Sequence, residues 1–384
     1  MIKSKTVCLN MIVKNEAHVL EKTLLCLVGY IEFDYYVICD TGSTDGTQQL
    51  IKNFFDERGI KGEVHDREWK NFGFNRSEAF KLAEGKSDYV FVFDADDYIH
   101  GDVSFSRSLD KDFYLFKFGP NFIYYRPLLF KNNLNWSFKC VLHEYAHSPL
   151  ASTSENILGD YFFVSGRSGS RNKDQKAKRE KDVKVLEDAL KEEPNNERYW
   201  FYLAQTYKDS EMYEDAIEAY DKRIRLGGWD QETFFTLLQK AECYEALGEK
   251  EKAKNTFFES FKFRPSRIEG LYKVGKNLRI EGKFQEGYLF LSAAIKRRET
   301  DDSLFVDSSI YEWMVLDEIS ICAFYCGFFQ EAFDCSCEIL DKRDFPEEQR
   351  ERLEANRLFA ISKIRETVIK YPNEKIKELE KIKA

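Results

Sequence analysis

Phe91-Val92-Phe93-Asp94-Ala95-Asp96-Asp97 is an apolar run of β type that ends in three carboxylates within four positions. Side chains alternate faces along a strand, so Asp94 and Asp96 are expected on one face and Asp97 on the other. Two hard oxygen ligands where a buried strand meets solvent suit a divalent cation that carries a phosphate. A lone D-x-D is more often a solvated turn after a core strand, because the pattern is short and acidic turns are common, and the neighbouring sequence changes the odds.

Three upstream segments share one layout: an apolar run, a polar or Gly-rich corner, then a helical pattern. Residues 7–13 lead into Lys14-Asn15-Glu16, residues 35–39 into Asp40-Thr41-Gly42-Ser43-Thr44-Asp45-Gly46-Thr47, and residues 63–65 into Asp66. Amphipathic stretches at 17–28, 47–58 and 75–83 carry apolar residues three or four apart. Strands alternating with helices predict a doubly wound, mostly parallel sheet, with Glu16, Asp40, Asp94 and Asp96 at the carboxyl ends of strands, where such sheets bind ligands.

Four pieces in order, Met11-Ile12-Val13-Lys14-Asn15-Glu16, Asp40 to Thr47, Trp69-Lys70-Asn71-Phe72-Gly73-Phe74-Asn75-Arg76 and Asp94-Ala95-Asp96-Asp97, resemble the GT-A type glycosyltransferases of family 2, in the subgroup with tetratricopeptide repeats behind the transferase. The resemblance covers residues 1–165 and, separately, a repeat region. It implies a Rossmann-like α/β GT-A domain and a nucleotide-sugar donor, with UDP favoured through Asp40 as the uracil-binding carboxylate. Glu16 is implied near the base or ribose, Asp94 as a ribose or metal contact, Asp96 as the direct metal ligand and Arg76 facing the diphosphate. The bland reading of Arg76 is a surface ion pair. Asp45 reads as a helix N-cap and stays off the catalytic list.

His143-Glu144-x-x-His147 matches the zinc metalloprotease pattern, in which two histidines share a helix face. Ser148-Pro149 follows at once and residues 136–142 read as strand, so the protease reading is disfavoured. The family resemblance instead implies His143 as a further metal ligand or diphosphate contact. Glu144 then becomes the expected general base, with Asp97 as its competitor. His18, His65 and His100 read as ordinary loop or surface residues.

The chemistry implied is a single, inverting displacement at the anomeric carbon, with Mn²⁺ or Mg²⁺ neutralising the leaving diphosphate and a carboxylate taking the proton of the acceptor hydroxyl. The acceptor is left open between a glycan, a protein and a lipid-linked saccharide. The alternative is a catalytically inactive interaction scaffold, because Ser77 stands where related sequences often carry Asn.

From Arg171 the chain turns charged and helix-prone, which places the domain boundary at 170/171. Beyond it Trp200, Leu203, Ala204, Tyr207, Ala216 and Tyr220 recur as Ala241, Tyr244, Gly248, Ala253 and Phe257, and then as Gly275, Gly282, Gly287, Leu291 and Ala294. Ala216 to Ala253 is 37 positions and Ala253 to Gly287 is 34, close to the period of a tetratricopeptide helix pair. Residues 171–384 are therefore expected to be an all-α repeat domain of three to four pairs with a capping helix near 347–364. Such an array binds the acceptor, a peptide or protein partner, or a second copy of the chain.

With 384 residues, 43% of them hydrophobic, the chain can build two cores. A net charge of −9 argues against nucleic acid as a partner. No run is long and apolar enough for a transmembrane segment, and the start reads as leading into a strand, so a cytoplasmic protein is expected. The nine cysteines lack paired metal-ligand spacing and read as reduced core thiols.

Overall fold

The computed structural model describes residues 4–103, 105–166, 168–169 and 174–369. The start of the charged run, at Arg171-Asn172-Lys173, lies outside the described residues. The chain divides into two compact units, one made of residues up to Gly227 with Ser303–Phe305, the other of Gly228–Asp302 and the residues from Val306 onward.

The first unit opens as the sequence predicts, with β1 (Val7–Val13), α1 (Ala17–Tyr30), β2 (Tyr35–Asp40), α2 (Thr47–Asp56), β3 (Lys61–Asp66), α3 (Phe72–Leu82) and β4 (Tyr89–Val92). Strands β1, β2, β3 and β4 pair in parallel in the order β3-β2-β1-β4. Six of the seven β1 residues are buried and β4 is buried throughout, as befits parallel strands covered on both faces. The buried polar exception, Asn10, donates from Nδ2 to the Val37 carbonyl at 3.0 Å and to the Ala79 carbonyl at 2.9 Å. It thereby fixes α3 against the sheet.

Beyond β4 come β5 (Tyr98–Gly101), β6 (Phe113–Phe118) and β7 (Phe122–Lys131), then β8 (Ser137–Lys139) inside the stretch that reads as strand, β9 (Tyr145–His147), β10 (Ser154–Asn156) and β11 (Tyr161–Val164). The full order is β3-β2-β1-β4-β7-β6-β11-β5 with β10 beside β6, while β8 and β9 form a separate antiparallel pair. β4 meets β7 antiparallel, and β6 meets β7 antiparallel. Alternate burial along β6 shows one face turned to the core. There Phe116 packs edge-on against Phe91 at 5.5 Å and Phe163 at 5.4 Å, contacts worth about 0.5–1.5 kcal/mol each beyond area.

Helices α4 (Gln175–Glu192), α5 (Glu197–Asp209) and α6 (Tyr213–Leu226) begin where the composition changes yet belong to the first unit. The reason is apolar: Leu142 from the β8–β9 loop is buried with Leu186, Leu190, Tyr199 and Leu203. Compactness therefore groups the first three helices of the repeat region with the sheet, whereas the compositional boundary falls at 170.

The second unit is all helical apart from short connections: α7 (Asp230–Ala246), α8 (Lys250–Phe263), α9 (Glu269–Ile280), α10 (Phe284–Ile295), α11 (Val315–Tyr325), α12 (Phe329–Lys342) and α13 (Arg350–Ile369). Consecutive helices pack as pairs. At Gly275 an added Cβ would lie 2.5 Å from the Leu291 side chain, so α9 and α10 approach through a residue without one. Leu353 and Ala360 of α13 are buried on the last pair, which is how a capping helix covers an otherwise exposed face. The fully buried Arg267 donates to Glu269 and, at 3.2 Å, to Asp302, and lies over the Phe234 ring at 4.5 Å.

Candidate active site

The carboxyl ends of the parallel strands gather the predicted residues. Asp40 is the last residue of β2 and is fully buried. Its Oδ1 accepts the Gly42 amide at 2.8 Å and the Ser43 amide at 2.6 Å, whereas its Oδ2 has no protein partner. A buried carboxylate oxygen without a donor is costly, and such a group asks for an N–H from outside the chain. Asp45 accepts from Thr47 N at 3.1 Å and from Ala17 N at 3.1 Å, so it ties together the starts of α1 and α2. The N-cap of α2 is Gly46, so Asp45 holds the two helix starts from the position before the cap rather than as the cap itself.

The acidic run forms a turn beyond β4 and is not the end of a strand. β4 ends at Val92, and the Asp97 amide donates to the Asp94 carbonyl at 3.3 Å, closing a turn over Asp94–Asp97. Strand alternation therefore stops before the carboxylates. Asp94 and Asp97 come to one side, where Arg126 of β7 reaches both at 3.3 and 3.5 Å. Asp96 turns instead to the Gly169 amide, which donates to its Oδ2 at 2.9 Å.

Arg76 is 6% exposed and bridges two carboxylates, donating from Nη2 to Asp94 and from Nε to Glu144. Burial disfavours its charge, but Asp94 and Glu144 outweigh that, and its pKa is raised. Burial likewise opposes ionisation of Asp94, yet Arg76 and then Arg126 hold it down to about 2. Asp97 goes the other way: burial first, then the Asp94 charge, push it up to about 7 despite Arg126. The sequence places Arg76 facing a diphosphate, whereas the fold encloses it between its two carboxylate partners. Arg126, whose side chain is 35% exposed, is the guanidinium that reaches solvent here.

Ser77 has a structural task. Its hydroxyl donates to the Gly73 carbonyl at 2.7 Å and accepts the Phe138 amide at 2.7 Å, joining α3 to β8. His143 and His147 lie in the β8–β9 loop and on β9, not on a helix, so they do not share the helix face that a zinc protease needs. The His143 ring lies flat on Tyr202, 3.8 Å between centroids.

A glycine-bearing segment after β11 crosses the acidic turn. Gly166 N donates to Asp97 Oδ1 at 2.9 Å, and a Cβ added at Gly166 would stand 1.7 Å from the Asp96 carbonyl oxygen. A Cβ at Gly169 would stand 2.8 Å from Asp96 Oδ2 and 3.4 Å from Glu16 Oε1, which places Glu16 and Asp96 around the same spot. Among the described residues no three His, Cys, Asp or Glu side chains assemble as a metal site. Asp94 is engaged by two guanidinia and His143 by Tyr202, so the three expected ligands Asp94, Asp96 and His143 do not form one cluster.

Residues 8–110 match glycosyl transferase family 2. The match takes in Glu16, Asp40, Arg76 and the acidic turn and ends before Arg126 and the His143–Glu144 loop of the same unit. No curated protein matches the chain. The crystal structure of MamA is 18% identical, covering 48% of this chain and 97% of that chain at a TM-score of 0.36. YrrB, described as a TPR protein with an unusual peptide-binding site, is 13% identical over 49% and 84% at 0.33. A thermophilic TPR protein in Thermus thermophilus is 16% identical over 48% and 93%, also at 0.33. The helical-repeat architecture rests on the helix pairs themselves, not on likenesses at these TM-scores. No described helix of the chain is long and apolar enough to cross a membrane.

Proposed function

We propose that the chain transfers a hexose from a UDP-sugar to an acceptor hydroxyl by a single inverting displacement. The observation that carries this reading is the unpartnered, buried Asp40 Oδ2 at the end of β2, an acceptor suited to the imide N–H of uracil. Glu16, beside the Asp96 carboxylate near Gly169, is the ribose-side contact. Arg126 is the accessible cation for the diphosphate, where a guanidinium can meet oxygens bidentately. Arg76 holds the Asp94 and Glu144 carboxylates in place.

Mn²⁺ or Mg²⁺ fits this site through Asp96 together with phosphate oxygens of the donor, since such ions are commonly held by one or two carboxylates plus substrate phosphates. When bound it supplies charge to the departing diphosphate. Glu144 is the proposed base for the acceptor hydroxyl. Asp97 is 3% exposed and capped by the Gly166 amide, which turns it inward and favours Glu144. The second unit, with Ile280, Leu289 and Tyr325 exposed, is assigned to holding the acceptor or a protein partner.

The test is thermal unfolding of the full chain against nucleoside diphosphates and nucleotide sugars, with and without Mn²⁺. A ligand at about 100 times its Kd adds about 2.7 kcal/mol to the folded state. A Mn²⁺-dependent rise with one UDP-sugar is expected, and Asp96→Ala is expected to remove the Mn²⁺ dependence and turnover while leaving the unliganded chain folded. A flat response to every nucleotide overturns the reading.

A further inference from the structure

The loop that carries Glu144 is built from residues that resist their own backbone. Cys140 and His143 have φ of 75° and 53°, the left-handed region that a Cβ disfavours. Such a conformation persists only where the surroundings over-determine it. Here the surroundings are α5. The Tyr199 hydroxyl accepts the Val141 amide at 3.1 Å, Leu142 is buried among Leu186, Leu190, Tyr199 and Leu203, and Arg198 Nε donates to the His143 carbonyl at 2.9 Å. The His143 ring stacks on Tyr202 with 7° between the planes. Arg198 and Tyr202 are one turn apart on α5, as are Tyr199 and Leu203, so a single helix side meets three consecutive loop residues.

The fourth residue, Glu144, is taken by Arg76 from α3. The loop is thus pinned from the sheet side at one residue and from the helical side at the three before it. We infer that α5, through Arg198 and Tyr202, is the positioning element for Glu144, so that the first helices of the repeat region complete the transferase site. This rests on the assignment of Glu144 as base.

The experiment uses full-length Tyr202→Ala, Tyr202→Phe and Arg198→Ala chains, each in the natural background and with Glu144→Ala. Hydrogen exchange is followed over residues 140–144, and kcat and donor KM are measured with the UDP-sugar that shifts thermal unfolding. For Tyr202→Ala we expect faster exchange at Val141 to Glu144, kcat lower by about 10–100-fold, as expected of a roughly 1 Å misplacement, and donor KM within about twofold. Tyr202→Phe, which keeps the stacking ring, should restore both readings, and with Glu144→Ala present neither α5 substitution should lower turnover further.

Unchanged exchange in Tyr202→Ala, an effect confined to donor KM, or an equal loss in the Glu144→Ala background overturns the inference. Absence of turnover in the unsubstituted chain strikes the transferase reading instead. The exchange data then decide by themselves whether α5 holds the loop.

Discussion

Arg76 on α3 donates its Nε–H to the carboxylate of Glu144, 68 positions further along the chain, and both side chains are nearly buried, at 7% and 11% exposure. The same guanidinium also pairs with Asp94. Two carboxylates from different parts of the sequence therefore depend on one cation.

Removing that cation leaves the nearly buried Glu144 without it and Asp94, whose side chain is 29% exposed, with Arg126 alone. Arg76→Ala should cost about 3–5 kcal/mol in urea unfolding. Arg76→Lys should recover only part of this, because an ammonium cannot serve both carboxylates with a planar fork. A loss below about 1 kcal/mol for Arg76→Ala, the range of an exposed ion pair, would show that Arg126 alone neutralises the cluster.

Asp40→Asn separates folding from binding. The retained oxygen can still accept from Gly42 and Ser43, and an amide replaces the unpartnered oxygen. Stability of the free chain should hold or rise. UDP affinity by calorimetry should fall about 10–100-fold, the worth of a hydrogen bond to a charged group, about 1.5–3 kcal/mol.

Gly166→Ala puts a methyl group on the Asp96 carbonyl. The segment after β11 must move, and Asp97 then loses the Gly166 amide. Overpacking of this kind costs about 1–3 kcal/mol, read in thermal unfolding, and Mn²⁺-dependent donor binding should weaken with it. An unchanged melting curve would mean that the segment shifts without resistance.

Glu63 offers a pH test away from the site. Its hydrogen bond from Lys86, then that from the Tyr35 hydroxyl, hold it at about 2, against an ordinary value of 4.5, while burial pulls weakly upward. A folded value below the unfolded one contributes stability above about pH 4.5 and loses it as the pH falls toward 2. Glu63→Gln should thus be less stable than the natural chain at pH 7. The gap should close between about pH 4.5 and 2 in acid titrations followed by circular dichroism.

The parallel half of the sheet is legible because β1 and β2 announce themselves locally. Val7–Val13 and Tyr35–Asp40 are buried runs bounded by polar corners, and their ends place Glu16 and Asp40. The turn at Asp94 to Asp97 reads as strand only if alternation is carried past Val92, where pairing with β1 ends. Arg126 escapes a local reading because its meeting with Asp94 depends on the antiparallel pairing of β4 with β7, a contact that no local pattern encodes. A charge inside the largely apolar Phe122–Lys131 run is the available signal. The glycines at 166 and 169 are equally visible, but only the tertiary fold shows that the acidic turn lies beneath them.

Leu142, seated among α4 and α5, also sets an order of events during synthesis. When the sheet segments have left the ribosome, the apolar side of the Glu144 loop has no cover until α5 follows. At about 5–20 residues per second, the 65 positions from Glu144 to Asp209 at the end of α5 take roughly 3–13 seconds to emerge. For that interval the apolar seat around Leu142 stays open to water until the chain's own helices arrive.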